Sequence, residues 1–148
     1  LWLGCSAWDQ SSADNAWGQL RETPAAIRFF SYEPALGPVD FKMMVAGEDA
    51  DGHCVRCGYA LADHELHDPS THVCPPGFGP RLSLIIAGGE TGPGARVCDA
   101  SWLCVAYDQC QAAGVPYFFK QPGDNFIGSS GCESWPAARV CRQYPKEE

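Results

Sequence analysis

The stretch "RLSLIIAGGETGPGARVCDASWLCVAYDQCQAAGVPYFFKQ", Arg81 to Gln121, decides the fold. Its opening, "RLSLIIA", is apolar without alternation, the pattern of a strand buried on both faces. A glycine-rich loop follows. Asp99 is a good N-cap for "ASWLCVAYDQCQAA". There Trp102, Ala106, Cys110 and Ala113 fall at i, i+4 and i+3 spacing and predict one buried helix face. Gly114 stands where a C-terminal glycine cap belongs, and "VPYFFKQ" reads as the next strand. Strand, loop, helix and strand in this order make a βαβ unit with a right-handed crossover.

The same alternation extends outward. "LWLGCSA", Leu1 to Ala7, reads as a buried strand. Ser11 or Ser12 caps a short helix in "SSADNAWGQLRETP", which Gly18 weakens and Pro24 stops. "AIRFFSYEP" is a second strand, closing at Pro34. The expected class is α/β, with a parallel sheet of about four strands. Residues 1–46 hold the first two βα units and 47–81 form a Cys/His-rich insert. Residues 82–121 hold the last two strands and their helix. Residues 122–148 form an irregular tail, with at most a short helix near Trp135 to Val140. Tyr117, Phe118, Phe119 and Phe126 are expected in the core.

The chain has 148 residues, 45% of them apolar, enough for one packed domain. A net charge of -8 argues against sequence-independent binding of nucleic acid, which rests on Lys and Arg neutralising phosphates. No apolar run has the length of a membrane span, and "LWLGCSAWDQ" has neither the basic flank nor the length of a signal peptide. It opens directly on strand-like residues, so the chain is expected to begin inside a domain. Nine cysteines without a secretion signal make a poor disulfide framework. The expectation is a reducing, cytoplasmic setting, with some cysteines buried and some holding metal.

Ligands of parallel sheets collect at the carboxyl ends of the strands. Those ends carry Ser6, Ser31 with Glu33, Gly88 to Glu90, and Lys120 with Gln121. The loop "GETGPG" has the glycine spacing of a phosphate loop, but Ala95 and Arg96 stand where Lys and Ser/Thr are required. An NTP-binding protein is therefore the weakest reading. Either the glycines serve a tight turn, or Gly88 and Gly89 clear space for a ligand beside Glu90. Glu33 and Glu90 are either salt-bridged to Arg28 or Arg96 or are polar groups of a pocket. Lys120 and Arg96 can pair with those carboxylates or hold an anion, Arg96 with bidentate geometry.

The insert contains "HCVRCGYALADHELHDPSTHVC", in which Cys54 and Cys57 are spaced as the two thiolates of a zinc knuckle. The remaining ligands come from His64, His67, His72 or Cys74, with His64 and either His72 or Cys74 favoured. Such a closed N/S set implies structural zinc, and a segment this poor in apolar residues needs the metal to fold.

"WLGCSAWDQ", "TPAAIRFFSYEPALGPVDF", "IIAGGETGPGAR" and "DQCQAAGVPYFFKQ" occur in the order seen in a bacteriophage and prophage family. The chain resembles that family, called gene-product thirty-seven / sixty-eight and of unknown function. Its members resemble radical S-adenosylmethionine (SAM) proteins. The resemblance implies the C-terminal portion of a partial (β/α) barrel, with the zinc-binding insert on a loop. It implies a pocket in which Glu33, Glu90 and Lys120 act on a substrate, while Ser6, Gly88, Gly89, Arg96 and Gln121 hold SAM or substrate. The iron–sulfur ligands of the family lie upstream, so this chain alone is expected to be silent. The substrate, a small molecule or a nucleic acid, is not indicated. Trp8, the run Ala16, Trp17 and Gly18, and Pro122 depart from the family pattern. The rival reading is a non-enzymatic zinc module on a barrel-like scaffold.

Overall fold

A computed structural model of the protein describes residues 1–46 and 81–145. The elements are β1 (Trp2–Ala7), α1 (Gln10–Leu20), β2 (Ile27–Tyr32), α2 (Lys42–Ala46), β3 (Leu84–Gly88), β4 (Cys98–Asp99), α3 (Ala100–Ala112), β5 (Tyr117–Gln121), β6 (Phe126–Ile127) and α4 (Trp135–Ala138). A 3-10 turn at Ser129–Gly131 precedes α4.

The main sheet runs β1-β2-β3-β5, and every neighbouring pair is parallel. The order advances in one direction without reversal. Right-handed crossovers in such a sheet place successive helices on the same face, whereas a doubly wound sheet reverses at a switch point. The burial pattern agrees. Phe30, Tyr32, Ile85, Ala87, Tyr117 and Phe119 alternate along their strands and are buried. They join one core with Ala13, Trp17 and Leu20 of α1 and Leu103, Ala106 and Cys110 of α3. Each large apolar side chain so enclosed stabilises the fold by roughly 1.5–3 kcal/mol.

The opposite face is thinly covered. Trp2, Gly4 and Ser6 of β1 are exposed, while Ile27, Phe29, Ile86 and Phe118 are half-buried. The Phe29 ring lies over Gly4, where a Cβ would collide with it. Among the described residues the sheet is open, not closed into a barrel. Its β5 edge is occupied by the tail: Phe119 N–H donates to Cys141 O (3.0 Å), Gln143 N–H donates to Tyr117 O (3.0 Å), and Phe118 bridges Arg142 antiparallel. This pairing fills the β5 edge along Tyr117 to Phe119, so a further strand has no place beside that stretch.

Several local details differ from the sequence reading. Asp9, not Ser11 or Ser12, caps α1: its carboxylate accepts Ser12 N–H (2.8 Å) and Ser12 Oγ accepts Asp9 N–H (3.0 Å). Ser12 is the reciprocal partner of a capping box. Trp17 is a core residue. On α3 the buried stripe is Ala100, Leu103, Cys104, Ala106 and Cys110, with Trp102 and Ala113 only half-buried. The stripe is displaced because α4 packs against α3 and Cys104 is joined to Cys132 by a disulfide. That bond departs from the expectation of a chain without a disulfide framework. Among the described residues, Cys98 and Cys110 are free and buried, and Cys5 and Cys141 are free and half-buried. The short elements α2, β4 and β6 were not legible in advance.

Arg28 closes the turn between α1 and β2. Its Nε, Nη1 and Nη2 donate to the carbonyls of Leu20 (3.2 Å), Ala25 (3.1 Å) and Thr23 (2.7 Å). The fixed fork of a guanidinium ties the last carbonyl of α1 to two carbonyls of the turn that follows it. Among the described residues, Arg28 donates to the backbone and not to Glu33.

Candidate functional site

The parallel sheet gathers the polar strand ends at one end of the molecule. Ser6 stands opposite Ser31 in the β1–β2 register, and Gly88 opposite Gln121 in the β3–β5 register. Glu33 follows β2 directly, and its peptide to Pro34 is cis. Glu33 Oε2 accepts Ser31 Oγ (2.9 Å) and faces Lys120 Nζ (3.4 Å). The Glu33 side chain is 15% exposed and that of Lys120 is 54% exposed. An ion pair with one end in water contributes little stability on its own. Its geometry matters more: a carboxylate just beyond β2 reaches across β3 to an ammonium on β5.

Gly88 makes that reach possible. A Cβ there would lie 2.8 Å from Glu33 Oε1 and 3.0 Å from Gln121 O. Glu33 Oε1 is buried and has no hydrogen-bond partner among the described residues. Leaving a buried acceptor unsatisfied is costly, so this carboxylate is held in place by its surroundings at the expense of stability. Such a cost is typical of functional positions.

The glycine loop has another organisation. Glu90 accepts Arg96 Nε (2.8 Å), Nη2 (2.7 Å) and backbone N–H (2.9 Å). These hydrogen bonds from Arg96 hold the Glu90 carboxyl down at about 2, and the same contact raises Arg96 above its usual value. Glu90 and Arg96 therefore occupy each other, the salt-bridged alternative of the sequence reading. The loop is also tied to residues that follow β5. Gly92 N–H donates to Asp124 Oδ2 (2.7 Å), Asp124 N–H to Glu90 O (2.9 Å), and Asn125 Nδ2 to Ala95 O (3.2 Å).

Glycines permit this crossing of loops. A Cβ at Gly123, where φ is +84°, would lie 2.6 Å from Glu90 O. A Cβ at Gly89 would collide with the Pro122 carbonyl. Gly89 N–H donates to Gln121 O (3.0 Å), and Gln121 Nε2 donates to Gly89 O (3.3 Å). Gly89 and Gln121 thus serve backbone contacts between β3 and β5.

The site residues fall into two groups. Ser31, Glu33, Gly88 and Lys120 form one connected cluster, with Ser6 beside it across the β1–β2 register. Glu90, Arg96, Gly89 and Gln121 form the loop clasp. Sequence reasoning placed Ser31 at a strand end without a role. The signal was its position two residues before Glu33, which in a strand puts both on one face. Asp124 and Asn125 were missed, because a tail contact carries no local period.

A cleft of about 1040 Å³ lies elsewhere. Trp2, Ile27, Arg81, Gln111 and Tyr144 line it, at the amino ends of the strands and away from Glu33. Arg81 is the only charged side chain among its described lining residues. Its size does not make it the site, since the polar strand ends face the other way.

No group of three or more His, Cys, Asp or Glu among the described residues could hold a metal ion. The expected zinc ligands Cys54, Cys57, His64, His72 and Cys74 lie outside the described residues. Burial pushes the Cys98 thiol up to about 11 and Cys110 higher still, away from the thiolate form that reacts. No helix among the described residues is long and apolar enough to cross a membrane.

The sequence model of the family described as "Protein of unknown function (DUF5131)" matches residues 1–142. No curated protein and no solved structure matches the chain.

Proposed function

The chain belongs to the DUF5131 family, and we propose that it forms the ligand-binding side of a radical-SAM-like partial (β/α) barrel. The observation that carries this reading is Glu33, half-buried just beyond the carboxyl end of β2 in a singly wound parallel sheet and facing Lys120. An adjacent carboxylate and ammonium match a zwitterionic α-amino acid head to tail. Lys120 Nζ receives the ligand carboxylate. Glu33 Oε2, 3.4 Å from Lys120 Nζ, would hold the ligand ammonium by a charge-assisted hydrogen bond. Ser31 Oγ holds the carboxylate in position.

The amino-acid end of SAM has this chemistry, and SAM is the ligand that the family resemblance suggests. When bound, SAM supplies a sulfonium-activated carbon. Iron–sulfur ligands are not among the described residues, so no redox step is assigned to them. The phage-family resemblance, a zinc-binding insert and a cytoplasmic setting belong to the same proposal.

The test is saturation-transfer NMR with SAM on the full chain and its Glu33→Gln variant. Transfer to SAM that weakens in the variant supports the site. Equal transfer in both removes it.

The rival, a non-enzymatic scaffold, draws support from the closed Glu90–Arg96 pair, which leaves the glycine loop no free charge. It predicts no SAM binding.

A further inference from the structure

We propose that the Cys104–Cys132 disulfide is a redox clasp. It fixes the C-terminal segment on α3 and, through Trp135, sets the rigidity of the glycine loop. The bond joins a buried position of α3 to the turn that precedes α4. The disulfide is the covalent member of a set of contacts that hold this segment. The helix α4 spans only Trp135–Ala138, too short to persist alone. Ser134 Oγ donates to Asp108 Oδ2 (2.8 Å), and Trp135 and Ala138 are buried.

Trp135 links the clasp to the loop. Its ring meets Phe119 edge-on at 5.4 Å and Phe126 at 4.7 Å. Phe119 lies on β5 one residue before Lys120. Phe126 lies on β6, which pairs with Cys98 of β4. Asp124 and Asn125, just before Phe126, are the residues that bind Gly92, Glu90 and Ala95. A packed path therefore runs from the disulfide through Trp135 and Phe126 to the glycine loop.

The direction of attack follows from burial. Cys132 is half-buried and Cys104 is 3% exposed, so a thiolate from outside reaches Cys132 Sγ. A dithiol reductant forms a mixed disulfide there, and Cys104 leaves as a thiolate and takes a proton. The second thiol of the reductant then attacks the mixed disulfide and releases Cys132. Two electrons and two protons pass to the protein, and the reductant becomes a disulfide. Cys110 and Cys141 are free, and burial pushes both thiols up. The clasp opens from outside, at Cys132.

The experiment uses the full chain, air-oxidised and reduced with dithiothreitol. Non-reducing peptide mapping should recover Cys104 linked to Cys132. Reduction should speed amide exchange in residues 129–139 and 89–97 about tenfold or more, by removing the constraint on local opening. The double variant Cys104→Ser/Cys132→Ser should exchange like the reduced protein and ignore the reductant. If that variant does not fold, titration of the wild type with reductant reads the same two states. Recovery of Cys104 and Cys132 as free thiols from oxidised protein overturns the proposal. So does loop exchange that is identical in both redox states. Neither outcome depends on SAM binding.

Discussion

Glu33, just beyond β2, and Lys120 of β5 approach within 3.4 Å across β3, and Gly88 is the β3 residue over which they meet. The absence of a side chain at Gly88 therefore matters as much as the two charges. Gly88→Ala is expected to destabilise the protein by about 1–3 kcal/mol, because the new methyl has no room. Glu33→Ala should relieve part of that cost, with a coupling of at least about 0.5 kcal/mol in a double-mutant cycle. Urea denaturation of the four proteins measures it. Strict additivity would show that Glu33 does not lie over Gly88.

Glu90 offers a pH test. Hydrogen bonds from Arg96 depress its carboxyl in the folded state to about 2 from an ordinary 4.5. A depressed folded value means that the stabilisation is complete above the ordinary value and is lost as pH falls through about 2. Titration of the Glu90 carboxyl carbon by NMR should show its midpoint near the lower value. Arg96→Lys, which removes the bidentate fork, should move the midpoint upward. A midpoint at the ordinary value in the wild type would refute the clasp.

Arg28 donates to three carbonyls of the turn after α1. Arg28→Met keeps the apolar stem and loses the donors. It should cost about 1–3 kcal/mol, the penalty of leaving such acceptors unsatisfied. Chemical denaturation reads the change. A loss below about 0.5 kcal/mol, the scale of an ordinary surface substitution, would mean that water replaces Arg28 there.

The zinc proposal rests on sequence alone. Elemental analysis of the reduced chain should find about one zinc per molecule, as a closed structural site requires. The variant Cys54→Ser/Cys57→Ser should lose it. Metal-free protein that is also insensitive to chelators would remove the insert's assigned role.

The regular part of the fold was legible because its signals are local. The apolar run at Leu84 to Ala87, the cap at Asp99 and the glycine at Gly114 each report on their own element. The cap of α1 was misjudged by a few residues, because Asp9 and Ser12 cap reciprocally and either alone satisfies the pattern. At the strand ends, the sequence left two fates open for each carboxylate. The structure separates them: Glu90 closes onto Arg96, six residues away, while Glu33 pairs with Lys120, 87 residues away. No local period encodes the second contact. The same holds for the Cys104–Cys132 bond and for Asp124, which act between segments whose proximity only the fold creates.

The central claim is that Glu33 and Lys120 receive a zwitterionic amino-acid end. Calorimetric titration of the full chain with SAM and with 5′-methylthioadenosine, which lacks that end, tests it most directly. The account predicts that SAM binds and that the truncated compound binds at least about tenfold more weakly, as loss of a charge-assisted contact entails. Equal binding of the two compounds, or no binding of either, would contradict it.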